Sequence, residues 1–408
     1  MDLHPLVDRR LLAAHRELDS LLRRMPKAEL HLHLDGSLRP ATALELARER
    51  GLDEGLDLAG MRARLGGPAH PLDQAELLRA FDLPIALLQD AEALRRVTAE
   101  LVEDVASDGT RYVEIRWAPG LHLERGLSLD DGIAAVVAGV RDGVRSVDDA
   151  AGGRGSAAGG APGDAGTAGE AVPSRGGVLR REAAALAGPA PGPPITVRLI
   201  AVAMRSHDPA TNVRVAEAAL RFSGEHLTGF DLAGLEAAFA DPLVHRAAIE
   251  TARSGGLGIT VHAGEWGGAA QVRRALALEP ARIAHGAPAI DDPDLVAELR
   301  HGDVTLDLCP TSNLQAAIVP RLADHPLPRL VRAGVPVTLS TDDRTVTGVT
   351  LVDEYRNAVD ALGLTLPELW AIDRHALEVA FLQDDEPLRD ALLSGFDTWA
   401  AGEPLVQS

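Results

Sequence analysis

Along the chain, short runs of leucine and β-branched residues alternate with longer stretches whose apolar positions recur every three or four residues. Eight runs read as strands: AELHLHLD (28–35), YVEIRWAP (112–119), ITVRLIAVA (195–203), LTGFDLAG (227–234), GITVHAGE (258–265), ARIAHGA (281–287), VTLDLCP (304–310) and PVTLSTDD (336–343). Amphipathic patterns lie between several of them, such as PATALELARER (40–50), HRAAIETARSGG (245–256) and DPDLVAELRHG (292–302). Strand and helix in alternation imply right-handed crossovers and a parallel sheet. Eight such units predict an α/β fold closed as a (β/α)8 TIM-type barrel, with a doubly wound open sheet as the alternative. From Leu351 onward the pattern is helical and closes the barrel, with TLPELW (365–370) as a proline-marked start. Residues 1–408 read as one barrel domain interrupted at 148–194. There Gly, Ala and Pro dominate and too little apolar surface is available to offset chain entropy, so a flexible surface insertion is expected, with a helical turn or two at REAAALA (181–187).

Polar residues collect at the ends of these runs. Alternate side chains of a strand share a face, so His31, His33 and Asp35 share one and Leu30, Leu32 and Leu34 the other. An H-x-H pair presents two nitrogens to a metal, or is chance alternation on a solvated edge. In a barrel the strand C-termini open onto the active-site face, so charge gathered there reads as chemistry. A third nitrogen comes from His262 on the fifth strand, across the mouth, and a carboxylate from Asp342 on the eighth, beside the first. Glu265 lies three residues beyond His262, on the opposite face of a straight strand; Gly264 predicts a turn that brings both into the pocket. Adjacent Asp342 and Asp343 share a pocket only if the strand ends there. Helix capping is the plainer reading of Glu265 and Asp343, and a satisfied structural histidine that of His285.

Composition narrows the chemistry. Hydrophobic residues make up 46% of the 408, enough for a sizeable core, and the formal charge is −20 with no basic stripe. Nucleic acid and anionic membrane are thereby disfavoured as partners, whereas an uncharged nucleoside is not. The N-terminal stretch is broken by charges and no apolar run reaches spanning length, so no signal peptide or transmembrane segment is expected. Cys309 is the only cysteine, which excludes an intrachain disulfide and fits a reducing cytoplasm. Lys27 is the only lysine. Schiff-base, P-loop and lysine-bridged two-metal chemistry thus have no residue in the body of the chain. The lone cysteine also removes any C-x-x-C zinc site, so a metal must be held by His and Asp or Glu.

With these residues in place the chain resembles the adenosine deaminase family, on HLHLDGS, YVEIRWAP, DLAG, HAGE, RIAHG, CPTSN and STDD in that order, from about Pro26 to near residue 390. The resemblance implies the same barrel. It also implies one Zn2+ per chain on His31, His33, His262 and Asp342, making water nucleophilic near neutral pH. By the same resemblance His285 and Asp343 orient and deprotonate that water, and Glu265 gives a proton to purine N1. Gly234 would offer its N–H to the ring, and Asp35 would accept the ribose 5′-hydroxyl. The implied reaction is hydrolytic deamination of adenosine, and of 2′-deoxyadenosine, in purine metabolism. A carboxylate at position 35 repels a 5′-phosphate. The helix from Leu38 to Arg50 and FDLPIALL (81–88) are expected to wall the purine. Arg344, Trp266 and Leu235 depart from the family pattern, with Arg344 expected beside the metal. They keep a modified nucleoside, aminofutalosine-type or 5′-altered, as an alternative. A metal-dependent phosphoesterase is the alternative from another class; it would want a second metal and cations for phosphate. The oligomeric state is not legible.

Overall fold

The computed structural model describes residues 15–68, 71, 73–157, 195–224, 226–383 and 385–407. Eight strands follow one another around a ring: β1 (Lys27–His33), β2 (Thr110–Trp117), β3 (Thr196–Met204), β4 (Leu227–Ala233), β5 (Gly258–Ala263), β6 (Arg282–His285), β7 (Thr305–Leu308) and β8 (Val337–Leu339). Every neighbouring pair from β1 to β8 is parallel. The ring closes where Asp342 bridges Leu32: His33 N–H donates to Asp342 O at 2.7 Å and Asp342 N–H to His31 O at 3.0 Å. This is the (β/α)8 barrel, not the open sheet.

The helices between strands follow the apolar periodicity. PATALELARER is helical over Pro40–Arg50, and DPDLVAELRHG over Pro293–His301, with Asp292 accepting Leu295 N–H as its cap. In HRAAIETARSGG the helix is Arg246–Ser254, preceded by a 3-10 turn, Pro242–His245. Helix Ala91–Ser107 buries Leu94, Val97, Leu101 and Val105 against the sheet, the three-and-four spacing of an amphipathic face. One boundary is corrected. The helix begun at Leu129 runs to Ala157, ten residues into the stretch assigned to the insertion. Glycine and alanine do not stop a helix already nucleated, since propagation costs far less than initiation. The remainder of that stretch, REAAALA included, lies outside the described residues. Among the described residues no helix is long and apolar enough to cross a membrane.

Two features of the barrel position the site. Between Glu29 and Leu32, β1 spends three steps where β2 spends two, Val113 to Ile115. This extra residue breaks the alternation of faces. Lys27 and Glu29 therefore turn to the outer layer, Lys27 over the Tyr355 ring and Glu29 accepting from Thr341, while His31 and His33 look into the mouth. The second feature is a charged barrel interior. Arg116, fully buried on β2, donates to Asp231 Oδ2 on β4 at 3.0 Å and to Leu30 O at 2.7 Å. Below it Arg282 binds Asp307 and Glu114, and Glu114 also accepts from Tyr112 and Phe381 N–H. Each charge has an opposite partner, as burial requires.

Candidate active site

Seven of the eight strands end before the residues that carry the chemistry, or on them. β1 ends on His33, so Asp35 lies in the following loop. β5 ends at Ala263, and Gly264 at φ +84° turns the chain so that His262 and Glu265 line one pocket. The alternation problem at Glu265 is solved as expected, by a left-handed turn that glycine adopts without strain. β8 ends at Leu339, which lets Asp342 and Asp343 both face the pocket. Two non-glycine residues, His285 (φ 69°) and Asp342 (φ 65°), take left-handed backbone at a cost of about 1–2 kcal/mol each. For Asp342 the two bridging hydrogen bonds to β1 hold that conformation.

The site residues converge. His31 Nε2 lies 2.9 Å from Asp342 Oδ1, His33 Nε2 lies 3.4 Å from the same oxygen, and His33 Nε2 faces His262 Nε2 at 3.2 Å. His285 Nε2 stands 3.8 Å from Asp342 Oδ2 and 3.9 Å from Glu265 Oε1. Ligand atoms of His31, His262, His285 and Asp342 all fall within 4.8 Å of one another. Both ring nitrogens of His31 are buried without a hydrogen-bond partner. Burial holds His31 well below its usual range and His33 down to about 3, so both imidazoles keep their lone pairs. Burial alone would raise Asp342; His31 and His285 outweigh it and hold the carboxylate ionised. Neutral imidazoles, an ionised carboxylate and orphaned nitrogens aimed at one point are the donor set a divalent cation needs.

The other carboxyls behave differently. Burial, then Asp342, raises Glu265 to about 8; burial, then Asp342 and Asp35, pushes Asp343 well above its usual range; burial raises Asp35 to about 6. Glu265 precedes a helix whose cap is Gly267, and Asp343 makes no cap hydrogen bond, so neither is a capping residue. Gly36 lies so close to Asp343 that a Cβ there would sit 1.7 Å from its Oδ1. Gly234 lines the pocket with Ala233 and Met204.

Several supporting residues carry no signal in the runs themselves. Asp231 Oδ2 stands 2.9 Å from His262 Nδ1 and orients that ring; burial, which alone would raise it, is outweighed by His262 and Arg116. Glu236, buried, accepts N–H from Gly264, Trp266 and Gly267 and so shapes the turn before and after Glu265. Gln74 lines the pocket, accepts Ala237 N–H and hydrogen-bonds Glu265. A polar residue one place past DLAGL and a glutamine in a short helix could be flagged from sequence, but not their partners. Ser312 of CPTSN donates to Asp342 Oδ2 at 2.7 Å.

Three expectations about the surroundings change. FDLPIALL does supply a wall, through Phe81 and Ile85, but no residue of Leu38–Arg50 lines the pocket; Leu77, Leu78 and Leu121 do. That helix spends its apolar face on the core, burying Ala43, Leu44, Leu46 and Ala47. Arg344 is turned away from the pocket to an ion pair with Asp108 at 2.6 Å, because a buried guanidinium needs an anion and the outer layer provides one. Trp266 is outside the lining as well.

The adenosine deaminase family model matches residues 26–151 and 178–399. The chain belongs to the adenosine deaminase family. It is 34% identical over 381 residues to an adenosine deaminase of Mycolicibacterium vanbaalenii, covering 90% of this chain and 93% of that one. An adenosine deaminase of Mycobacteroides abscessus is 35% identical over 387 residues, with 91% and 95% covered. Among solved structures, Arabidopsis ADAL complexed with GMP matches with a TM-score of 0.73 at 26% identity, over 94% of this chain and 98% of that one. This deaminase thus shares with its relatives the whole barrel and not a fragment of it.

Proposed function

We propose that the enzyme removes the 6-amino group of adenosine, and of 2′-deoxyadenosine, by hydrolysis to the inosine nucleoside and ammonia, with one Zn2+ per chain. The observation that supports this best is the convergence of His31, His33, His262 and Asp342 beneath a carboxyl that holds its proton at neutral pH. When bound, zinc supplies the Lewis acidity that makes water a nucleophile near neutral pH. Glu265 donates its proton to ring N1, which makes C6 electrophilic. His285 and Asp343, on the other side of the attacking oxygen, orient the water and take up its proton. Gly234 presents backbone N–H where a side chain would block the ring, and Leu77, Leu78, Phe81 and Ile85 exclude water from the purine faces. Asp35 accepts the ribose 5′-hydroxyl.

A nucleoside is favoured over a nucleotide by charge. ADAL is complexed with GMP in the structure named above, yet no arginine or lysine lines this pocket, where Asp35 and Asp343 stand. A 5′-phosphate would meet carboxyls and no cation. The same lack argues against a phosphoesterase. A 5′-altered adenosine, aminofutalosine-type compounds included, is the second reading, since Asp35 tolerates any neutral 5′-group that can donate. Following the purine absorbance band with adenosine, 2′-deoxyadenosine, adenine, AMP and 5′-substituted adenosines tests both. Turnover of adenosine with AMP inert is expected; AMP turned over faster would overturn the nucleoside reading.

A further inference from the structure

Four imidazoles crowd one pocket, and hydrogen bonds behind two of them decide which nitrogen of each carries its proton. The decisive chain starts at a backbone amide. Leu327 N–H donates to His325 Nδ1 at 3.2 Å. A neutral imidazole has one N–H, so His325 carries it on Nε2. Burial lowers His325 to about 3, consistent with the neutral ring. His325 Nε2 is 3.0 Å from Asn313 Oδ1, which must accept. The Asn313 amide then donates from Nδ2 to His285 Nδ1, 3.2 Å away. The reverse assignment fails. Turning the Asn313 amide over would place Nδ1–H of His325 against Leu327 N–H, donor against donor. A protonated His285 would likewise set its Nδ1–H against the amide. All three side chains are buried, so no water relieves either conflict.

We propose that Asn313 and His325 are positioning residues that fix His285 as the tautomer with its proton on Nε2, the nitrogen facing the pocket. His285 is then a hydrogen-bond donor toward the Asp342 and Glu265 side. It has no lone pair to give a metal from that nitrogen. The opposite holds for His262: Asp231 stands at its Nδ1, which leaves Nε2 unprotonated and facing His33 Nε2. Of the four imidazoles, His31, His33 and His262 are thereby left to bind metal, and His285 is set apart. Resting on the deamination reading, the work of the His285–Asp343 pair divides. His285 holds the attacking oxygen in place by donating to it, and Asp343 takes the proton.

Two-bond proton–nitrogen NMR on zinc-loaded enzyme with 15N-histidine reads the tautomer directly, with the His285 signals found by their loss in His285→Gln. Proton on Nε2 and bare Nδ1 is the expected pattern; proton on Nδ1 overturns the proposal. Asn313→Asp places an acceptor at Nδ1 and should move the proton there. It should cut kcat about tenfold or more while KM stays within about threefold and zinc per chain stays unchanged, the size expected for one lost hydrogen bond to a charged transition state. A moved proton with unchanged kcat would refute the division of labour. Zinc content halved in His285→Gln would refute its exclusion from the ligand set. Enzyme with the expected tautomer but no activity on adenosine would fault the substrate reading and leave this one standing.

Discussion

Replacing Glu265 by glutamine keeps the shape of the side chain and its reach toward ring N1 but removes the proton it has to give. Burial, then the neighbouring Asp342, raises this carboxyl from 4.5 to about 8. At pH 7 an acid titrating at 8 is about 90% protonated, whereas one at 4.5 is about 0.3% protonated, a difference of about 300-fold or ~3.4 kcal/mol in available acid. The direction of the pH effect follows. The carboxyl is protonated below its raised pKa and loses its proton as pH climbs through it. kcat/KM of the wild type should fall about tenfold per pH unit above about pH 8. Glu265→Gln should lower kcat by about 10²–10⁴-fold, keep its zinc, and show no alkaline limb of that origin. The assay is the loss of the adenosine absorbance band from pH 5 to 10, with zinc measured on the same samples. A variant with more than about a tenth of wild-type kcat, or a wild-type rate still rising at about pH 9.5, would refute the proton-donor role.

Asp35→Ala should raise KM for adenosine about tenfold and for 5′-deoxyadenosine by less than about twofold, because only the first loses a hydrogen bond; equal losses in steady-state kinetics would remove Asp35 from the ribose. Asp231→Asn takes the anion from behind His262, and competition with a chelator should show zinc held about 10–100-fold more weakly. Arg116→Met strands the Asp231 carboxylate and Leu30 O inside the barrel, so urea unfolding should report a loss of about 3–5 kcal/mol; a loss below about 1 kcal/mol would mean that the interior charges are not paired as described.

The barrel was legible because its signals are local. Eight apolar runs ending in polar residues, with helical periodicity between them, need no knowledge of what touches what. The strands proved shorter than the runs at their C-terminal ends: PVTLSTDD contains three strand residues, Val337–Leu339, and the remainder is the loop that brings Asp342 and Asp343 together. His31, His33, Asp35, Gly234, His262, Glu265, His285, Asp342 and Asp343 fall where side chains meet in one pocket or against it, and their roles remain those of the proposal above. What the sequence hid was partnership across distance. Glu236 and Gln74 act on Glu265 from elements far apart in the chain, and Arg344 takes its direction from Asp108, 236 positions away. The bulge in β1 was hidden too, since a single extra residue is visible only against the register of β2. Helix Leu129–Ala157 outran its composition for a cooperative reason that no window of residues displays.

The metal centre is tested most directly by stripping the enzyme with a chelator and titrating zinc back while adenosine turnover is followed. Activity should be absent at the start, rise linearly, and break at one zinc per chain. Full turnover by the metal-free enzyme, or a rise that continues to two equivalents, would contradict a single cation held by three imidazoles and Asp342.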